Sequence, residues 1–94
     1  MTDVEILERY LQRRFKGRVD SFIESPHPRY SNLRMYVGRN TVEFWINDGN
    51  VIVCNYQPSC KITLHMADPD FEVKLYVFLT DTAGVKPSKL KAEY

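Results

Sequence analysis

The chain has 94 residues, a formal net charge of +1 and 44% hydrophobic residues, which predicts one small globular domain. Such a near-neutral charge excludes a global attraction to nucleic acid or membranes, so any electrostatic attraction has to be local. The longest fully apolar run, residues 75–79, is too short to span a bilayer. The acidic N-terminus does not resemble a secretory signal, and the two cysteines are expected to stay reduced, so the predicted location is cytoplasmic.

The first predicted element is an amphipathic helix. Thr2 and Glu5 have the spacing of a capping box, and apolar residues then recur at helical spacing as far as Phe15. Gly17 is a natural stop signal. We therefore predict a helix from Asp3 to Lys16.

Strands are predicted next. Residues 18–25 form a candidate first strand, and the two prolines in 26–31 predict a loop because they exclude regular pairing. Asp48-Gly49 lies between two β-rich runs and is a strong signal for a tight hairpin. Residues 32–66 are therefore predicted to form the four-stranded core of an antiparallel meander of four to five strands.

One register fits all three hairpins of this meander. The predicted turns are Arg39-Asn40, Asp48-Gly49 and Pro58-Ser59. The predicted facing pairs are Met35 with Phe44, Phe44 with Val53, and Val53 with Leu64. This register gathers the strong apolar residues on one face, as a half-buried sheet requires. The first helix is expected to pack on Leu33, Met35, Val37, Phe44, Ile46, Val51, Val53, Leu64 and Met66.

The opposite face of the predicted sheet is rich in aromatic and charged side chains. Arg34 is predicted to lie opposite Trp45, close enough for a cation–π contact, and Trp45 opposite Ile52. Aromatic residues and arginine dominate the energetics of protein interfaces. We therefore predict that this face binds a protein partner, a second copy of the chain included, unless the 69–80 segment or the tail covers it. The predicted anchors are Arg34, Tyr36, Trp45, Ile52 and Tyr56.

Single-stranded nucleic acid is the alternative partner. Bases stack on sheet aromatics while nearby basic side chains contact phosphates. The basic residues that would contact phosphates or an acidic partner are Arg9, Arg13, Arg14 and Lys61. The near-neutral charge and the central Glu43 count against this alternative, and the helix cations can equally form a solvated face.

The residues after the meander fit two patterns. Asp68-Pro69-Asp70 resembles the start of a helix and predicts a second short helix over residues 69–80. Alternation of apolar residues in the same segment fits a further edge strand instead. We place the domain at residues 1–81 and a mobile basic tail at residues 82–94. The overall prediction is an α+β fold.

No group of residues predicts catalysis. Cys54, Cys60 and His65 lack the spacing of a structural zinc site, and the predicted register does not place the two cysteines opposite each other. His27 has no evident nucleophile or carboxylate partner. We therefore expect a non-enzymatic domain without metal or cofactor, which binds neither a membrane nor a small-molecule substrate.

Overall fold

The computed structural model describes residues 1–88 and has the predicted α+β fold. An N-terminal helix precedes a five-stranded antiparallel sheet whose strand order follows the sequence, and a second helix follows the sheet. Within this part of the chain, no helix combines the length and the apolar character needed to cross a bilayer. The elements are α1 (Asp3–Arg14), β1 (Arg18–Ser21), β2 (Leu33–Val37), β3 (Asn40–Asn47), β4 (Asn50–Tyr56), β5 (Ser59–His65), α2 (Phe71–Val77) and a π-helical turn (Phe78–Thr82).

Helix α1 begins with the predicted capping box. The Glu5 backbone N–H donates to the Thr2 hydroxyl at 3.2 Å, and the Thr2 backbone N–H donates to the Glu5 carboxylate at 3.0 Å. The backbone hydrogen bond from Thr2 lowers the pKa of Glu5. The helix ends at Arg14, two residues before the predicted Lys16, because Phe15 already has an extended backbone.

The β3–β4 hairpin has the predicted register. Asp48 and Gly49 have φ values of 56° and 83°, the left-handed conformation that a type I′ turn requires at both central positions. Phe44 consequently faces Val53. This hairpin was predictable because the turn signal and the hydrophobic alternation agree.

The β2–β3 hairpin is shifted by two residues from its predicted register. Gly38 and Arg39 form the turn, and Gly38 has a φ of 58°, which suits a glycine at the first central position of a two-residue turn. Met35 therefore faces Val42 instead of Phe44.

The β4–β5 hairpin is shifted in the same way. Its turn residues are Gln57 and Pro58, joined by a cis peptide bond, and Val53 faces Ile62 instead of Leu64. Side chains alternate with a period of two, so a two-residue shift leaves every side chain on its predicted face. The predicted inner-face residues are accordingly buried, with Met66 partly buried against them: Leu33, Met35, Val37, Phe44, Ile46, Val51, Val53 and Leu64.

The β1–β2 loop is held against the sheet by Asn32. Strand β1 ends at Ser21, earlier than predicted, and the loop that follows returns to β2 through this fully buried asparagine. Its side-chain amide donates to the carbonyls of Ile23 at 2.8 Å and Ser25 at 3.2 Å. Its side-chain oxygen accepts from the Ile46 backbone N–H at 2.7 Å. One side chain thus fixes the loop relative to β3.

The segment after β5 is helical, as predicted, and not a strand. Asp70 occupies the N-cap position of α2 without a side-chain cap, while Asp68 accepts from the Asp70 backbone N–H at 2.8 Å. Lys74 pairs with Asp68 at 2.7 Å, and this contact lowers the pKa of Asp68.

The packed domain extends beyond the predicted boundary at residue 81. Ala83 and Val85 are buried in the core, and the Ser88 backbone N–H donates to the carbonyl of Arg14 at 2.8 Å. The rest of the predicted tail, residues 89–94, lies outside the described residues.

Candidate binding surface

Both helices lie on the same side of the sheet. The buried residues of α1 and α2 join one core with the inner-face strand residues, and the Tyr10 hydroxyl donates to the Glu72 carbonyl at 3.2 Å between the helices. Helix α2 therefore does not cover the opposite side, which we call the outer face. Its strand residues are Arg34, Tyr36, Thr41, Glu43, Trp45, Ile52, Cys54, Tyr56, Lys61, Thr63 and His65.

Glu43 is the centre of a hydrogen-bond network on the outer face. Arg34 lies directly opposite it and donates from Nε at 3.0 Å, with Nη2 at 2.9 Å from the same oxygen. The hydroxyls of Tyr56 and Ser31 donate to the carboxylate at 2.5 and 3.1 Å. The two-residue shift of β2 explains why Arg34 meets Glu43, since the predicted register placed it opposite Trp45.

This network changes the acid–base properties of its members. Partial burial alone would raise the pKa of Glu43, but hydrogen bonds from Tyr56, Ser31 and Arg34, with the charge of Arg34, lower it overall. The hydrogen bond to Glu43 in turn raises the pKa of Tyr56 to about 12. The carboxylate is therefore held charged and the phenol neutral near neutral pH.

The cation–π contacts of the outer face differ from the predicted one. The Arg34 guanidinium lies 4.9 Å from the ring centre of Phe22 and does not stack on Trp45. Arg18 lies 4.5 Å from the ring centre of Tyr36. No sequence pattern predicts the position of Phe22, because that position depends on the path of the loop after β1.

Trp45 and Ile52 face each other as predicted and form the floor of a hollow of about 460 Å³. Ile52 is 38% exposed and Trp45 is half-buried. The indole Nε1 is buried and has no hydrogen-bond partner among residues 1–88. The proline-containing loop forms one wall, and the lining residues are Pro26, His27, Pro28, Asn32, Trp45, Ile46, Asn47, Ile52, Cys54 and Lys61.

The hollow offers recognition groups but no evident nucleophile. Cys54 is a free thiol, and partial burial raises its pKa, so it stays protonated near neutral pH and is a poor nucleophile. Lys61 lies opposite Cys54 on β5 and is exposed, so it can supply a positive charge to a ligand in the hollow.

The predicted basic residues do not share one surface. Arg9 and Arg13 are exposed on α1, where Arg13 lies 5.7 Å from the ring centre of Tyr10, and Arg14 on the same helix is half-buried. Because α1 packs on the inner face, these three arginines lie on the other side of the sheet from the aromatic anchors. Of the four predicted basic contacts, only Lys61 lies on the outer face.

The fold and this surface define a small α+β domain with an open sheet, helices on one face and an aromatic and charged surface on the other. Comparison with known proteins finds no matching family model, no matching curated protein and no matching solved structure. What the domain does therefore has to follow from the chemistry of its own surface.

Proposed function

We propose that the domain is a non-enzymatic interaction module that binds a protein partner through the outer face of its sheet. The observation that supports this most is the hollow over Trp45 and Ile52, whose lining combines these apolar side chains with polar and charged groups such as Lys61. Protein interfaces have this organisation, with an apolar or aromatic centre surrounded by polar residues. An apolar side chain of the partner would pack on the floor, and Lys61 would accept an acidic neighbour.

The network around Glu43 would prepare the adjacent part of the surface for binding. Tyr56 is 57% exposed, yet its hydroxyl is held by Glu43, so the ring keeps one orientation in the free domain. Arg34 is held by the same carboxylate. Side chains that are ordered before binding lose less conformational entropy when the partner arrives.

A peptide-display selection tests the proposal without a known partner. Wild-type domain is the bait, and the selected peptides are then measured against Ile52→Glu, which places a charge in the hollow. Val73→Glu is the matched control, since Val73 is 64% exposed on α2, on the other side of the sheet. We expect selected peptides to bind wild type and Val73→Glu alike, and to lose about 30-fold or more with Ile52→Glu or Trp45→Ala.

The same peptides report on the site through fluorescence, because Trp45 is the single tryptophan of the chain. Saturable emission changes should accompany binding. Peptides that lose affinity with Val73→Glu and keep it with Ile52→Glu would move the site to the helices and overturn the proposal. A single-stranded oligonucleotide whose binding weakens steeply with salt, while no peptide binds, would also overturn it, because phosphate contacts produce that salt dependence.

A further inference from the structure

The two edges of the sheet differ in how well they are protected against pairing with another strand. Natural edge strands are blunted by shortness, charge, proline or bulges. Strand β1 has four residues and carries an ion pair between Arg18 and Asp20 at 3.3 Å. Strand β5 has seven residues, and Lys61 is its single Lys, Arg, Asp or Glu. The β5 edge therefore has little protection.

The backbone groups that β5 presents at this edge follow from the ladder. Alternate residues of a strand direct their N–H and C=O groups to opposite neighbours. The Met66 N–H donates to the carbonyl of Gly49, the residue directly before β4, at 2.8 Å. Leu64 and Ile62 lie two and four residues before Met66, so they also direct their N–H and C=O groups to β4. Lys61 and Thr63 direct their N–H and C=O groups away from β4, to the open edge of the sheet. No strand of the described part of the chain pairs there.

We propose that β5 pairs antiparallel with β5 of a second copy of this chain, about a two-fold axis at Ile62. Lys61 of one copy then lies opposite Thr63 of the other, and each such pair exchanges two backbone hydrogen bonds. The register centred one residue earlier would oppose the two Lys61 side chains, and like charges directly opposite are destabilising. Centring on Ile62 avoids this and pairs the strand along its whole length.

Apolar contact accompanies this pairing on the inner side. Ile62 is half-buried in one copy, where it packs against the core, and in the pair its exposed part would contact the same residue of the second copy. Lys61 and Thr63, which lie opposite each other in the pair, both belong to the outer face. The outer faces of the two copies therefore lie on the same side of the joined sheet. The pairing uses the backbone edge of β5, and it does not depend on the proposed function.

Sedimentation velocity over a range of concentrations of the full chain tests the pairing through the charge at position 63. Thr63→Glu places a carboxylate opposite each Lys61, whereas Thr63→Lys places a second cation there. Cross-strand pairs contribute roughly 0.2–1 kcal/mol each, so two of them should change the dimer dissociation constant about 2- to 30-fold. We expect Thr63→Glu to dimerise more tightly than wild type and Thr63→Lys more weakly.

A second pair of variants separates the backbone from the side chain. Thr63→Pro removes an outward N–H without removing a hydrogen bond to β4, and Thr63→Ala keeps that N–H. We expect Thr63→Pro to be monomeric and Thr63→Ala to dimerise like wild type. The proposal would be overturned if both the wild-type chain and Thr63→Glu stayed monomeric. A dimer that is insensitive to Thr63→Pro would also overturn it.

Cross-linking tests the register. In a background of Cys54→Ser and Cys60→Ser, Ile62→Cys should form an intermolecular disulfide under mild oxidation, because residue 62 meets itself at the axis. Thr63→Cys should not, and faster cross-linking of Thr63→Cys would overturn the register. The two proposals can fail separately: Thr63→Pro should abolish dimerisation and leave peptide binding intact, whereas Ile52→Glu should abolish peptide binding and leave dimerisation intact.

Discussion

The carboxylate of Glu43 accepts a hydrogen bond from the Tyr56 hydroxyl at 2.5 Å, a diagonal contact between β3 and β4. The residue directly opposite Glu43 on β4 is Cys54, so Tyr56 reaches back along its own strand. On the other side, the same carboxylate holds Arg34 of β2. One side chain thus links three strands of the outer face, and its loss should change how stability depends on pH in both acid and alkali.

Replacing Glu43 with glutamine should destabilise the domain near neutral pH and much less in acid. The native interactions lower the pKa of Glu43, so they add stability above the unfolded-state value of about 4.3 and lose it as the pH falls through the lower native value. We expect a loss of about 1–2 kcal/mol at neutral pH, as for a partly buried charged hydrogen bond. Urea unfolding at several pH values measures it.

Glu24→Gln is the control for this experiment, because Glu24 is exposed in the β1–β2 loop. Its free energy of unfolding should follow that of wild type at every pH. A Glu43→Gln deficit that is the same in acid as at neutral pH would contradict the prediction, because the effect would then not come from the charge.

The contribution of Tyr56 to stability should be lost in alkali, as that of Glu43 is lost in acid. Its pKa is raised to about 12 in the folded domain against about 10 when unfolded, so its contribution is present below about 10 and lost as the pH rises toward 12. The alkaline absorbance titration of wild type, minus that of Tyr56→Phe, isolates this phenol. We expect its midpoint to fall toward 10 in Glu43→Gln. A wild-type midpoint near 10 would contradict the hydrogen bond.

The sequence predicted the two faces of the sheet better than the pairing of its strands. Alternation identifies which side of a strand is buried, and it is unchanged when a neighbour slides by two residues. Met35 and Val53 were therefore placed on the correct face with the wrong partners across two of the three turns. Only Asp48-Gly49 combined a strong turn signal with the correct register.

The contacts of the candidate site were predictable from the sequence only where the strand register was correct. Trp45 and Ile52 share the hairpin with the correct register, and their contact was predicted correctly. The partner of Arg34 was not predicted correctly, because it depends on the shifted β2 register. The wall of the hollow depends on where Asn32 anchors the β1–β2 loop, a tertiary contact that leaves no periodic pattern in the sequence.

Asn32→Ala should be among the most destabilising single substitutions in the domain. The side chain is fully buried and pairs with three backbone groups, one of which, the Ile46 N–H, makes a buried hydrogen bond. Each unpaired buried group costs about 1–3 kcal/mol, so we expect a total of at least 2–4 kcal/mol. Chemical denaturation measures it, and exchange of the Ile46 amide hydrogen should accelerate.

Asn47→Ala provides the comparison, because Asn47 is exposed at the end of β3 and also lines the hollow. It should change stability by less than about 0.5 kcal/mol. Trp45 emission should shift to longer wavelength in Asn32→Ala, since the released loop no longer shields the indole. An unchanged emission maximum in a destabilised variant would show that Asn32 does not hold the loop over Trp45.

Trp45→Phe should be tolerated with a change in stability of less than about 1 kcal/mol, because two effects oppose each other. The smaller ring loses apolar contact, but the substitution also removes a buried N–H that has no partner among residues 1–88, a group whose burial is itself unfavourable. Tyr56→Phe is the contrasting variant, since it deletes a hydrogen bond that is made. Urea unfolding of both variants tests this. A loss above about 2 kcal/mol for Trp45→Phe would contradict the prediction, because lost packing or a lost hydrogen bond of the indole N–H would then outweigh the gain from removing an unpaired group.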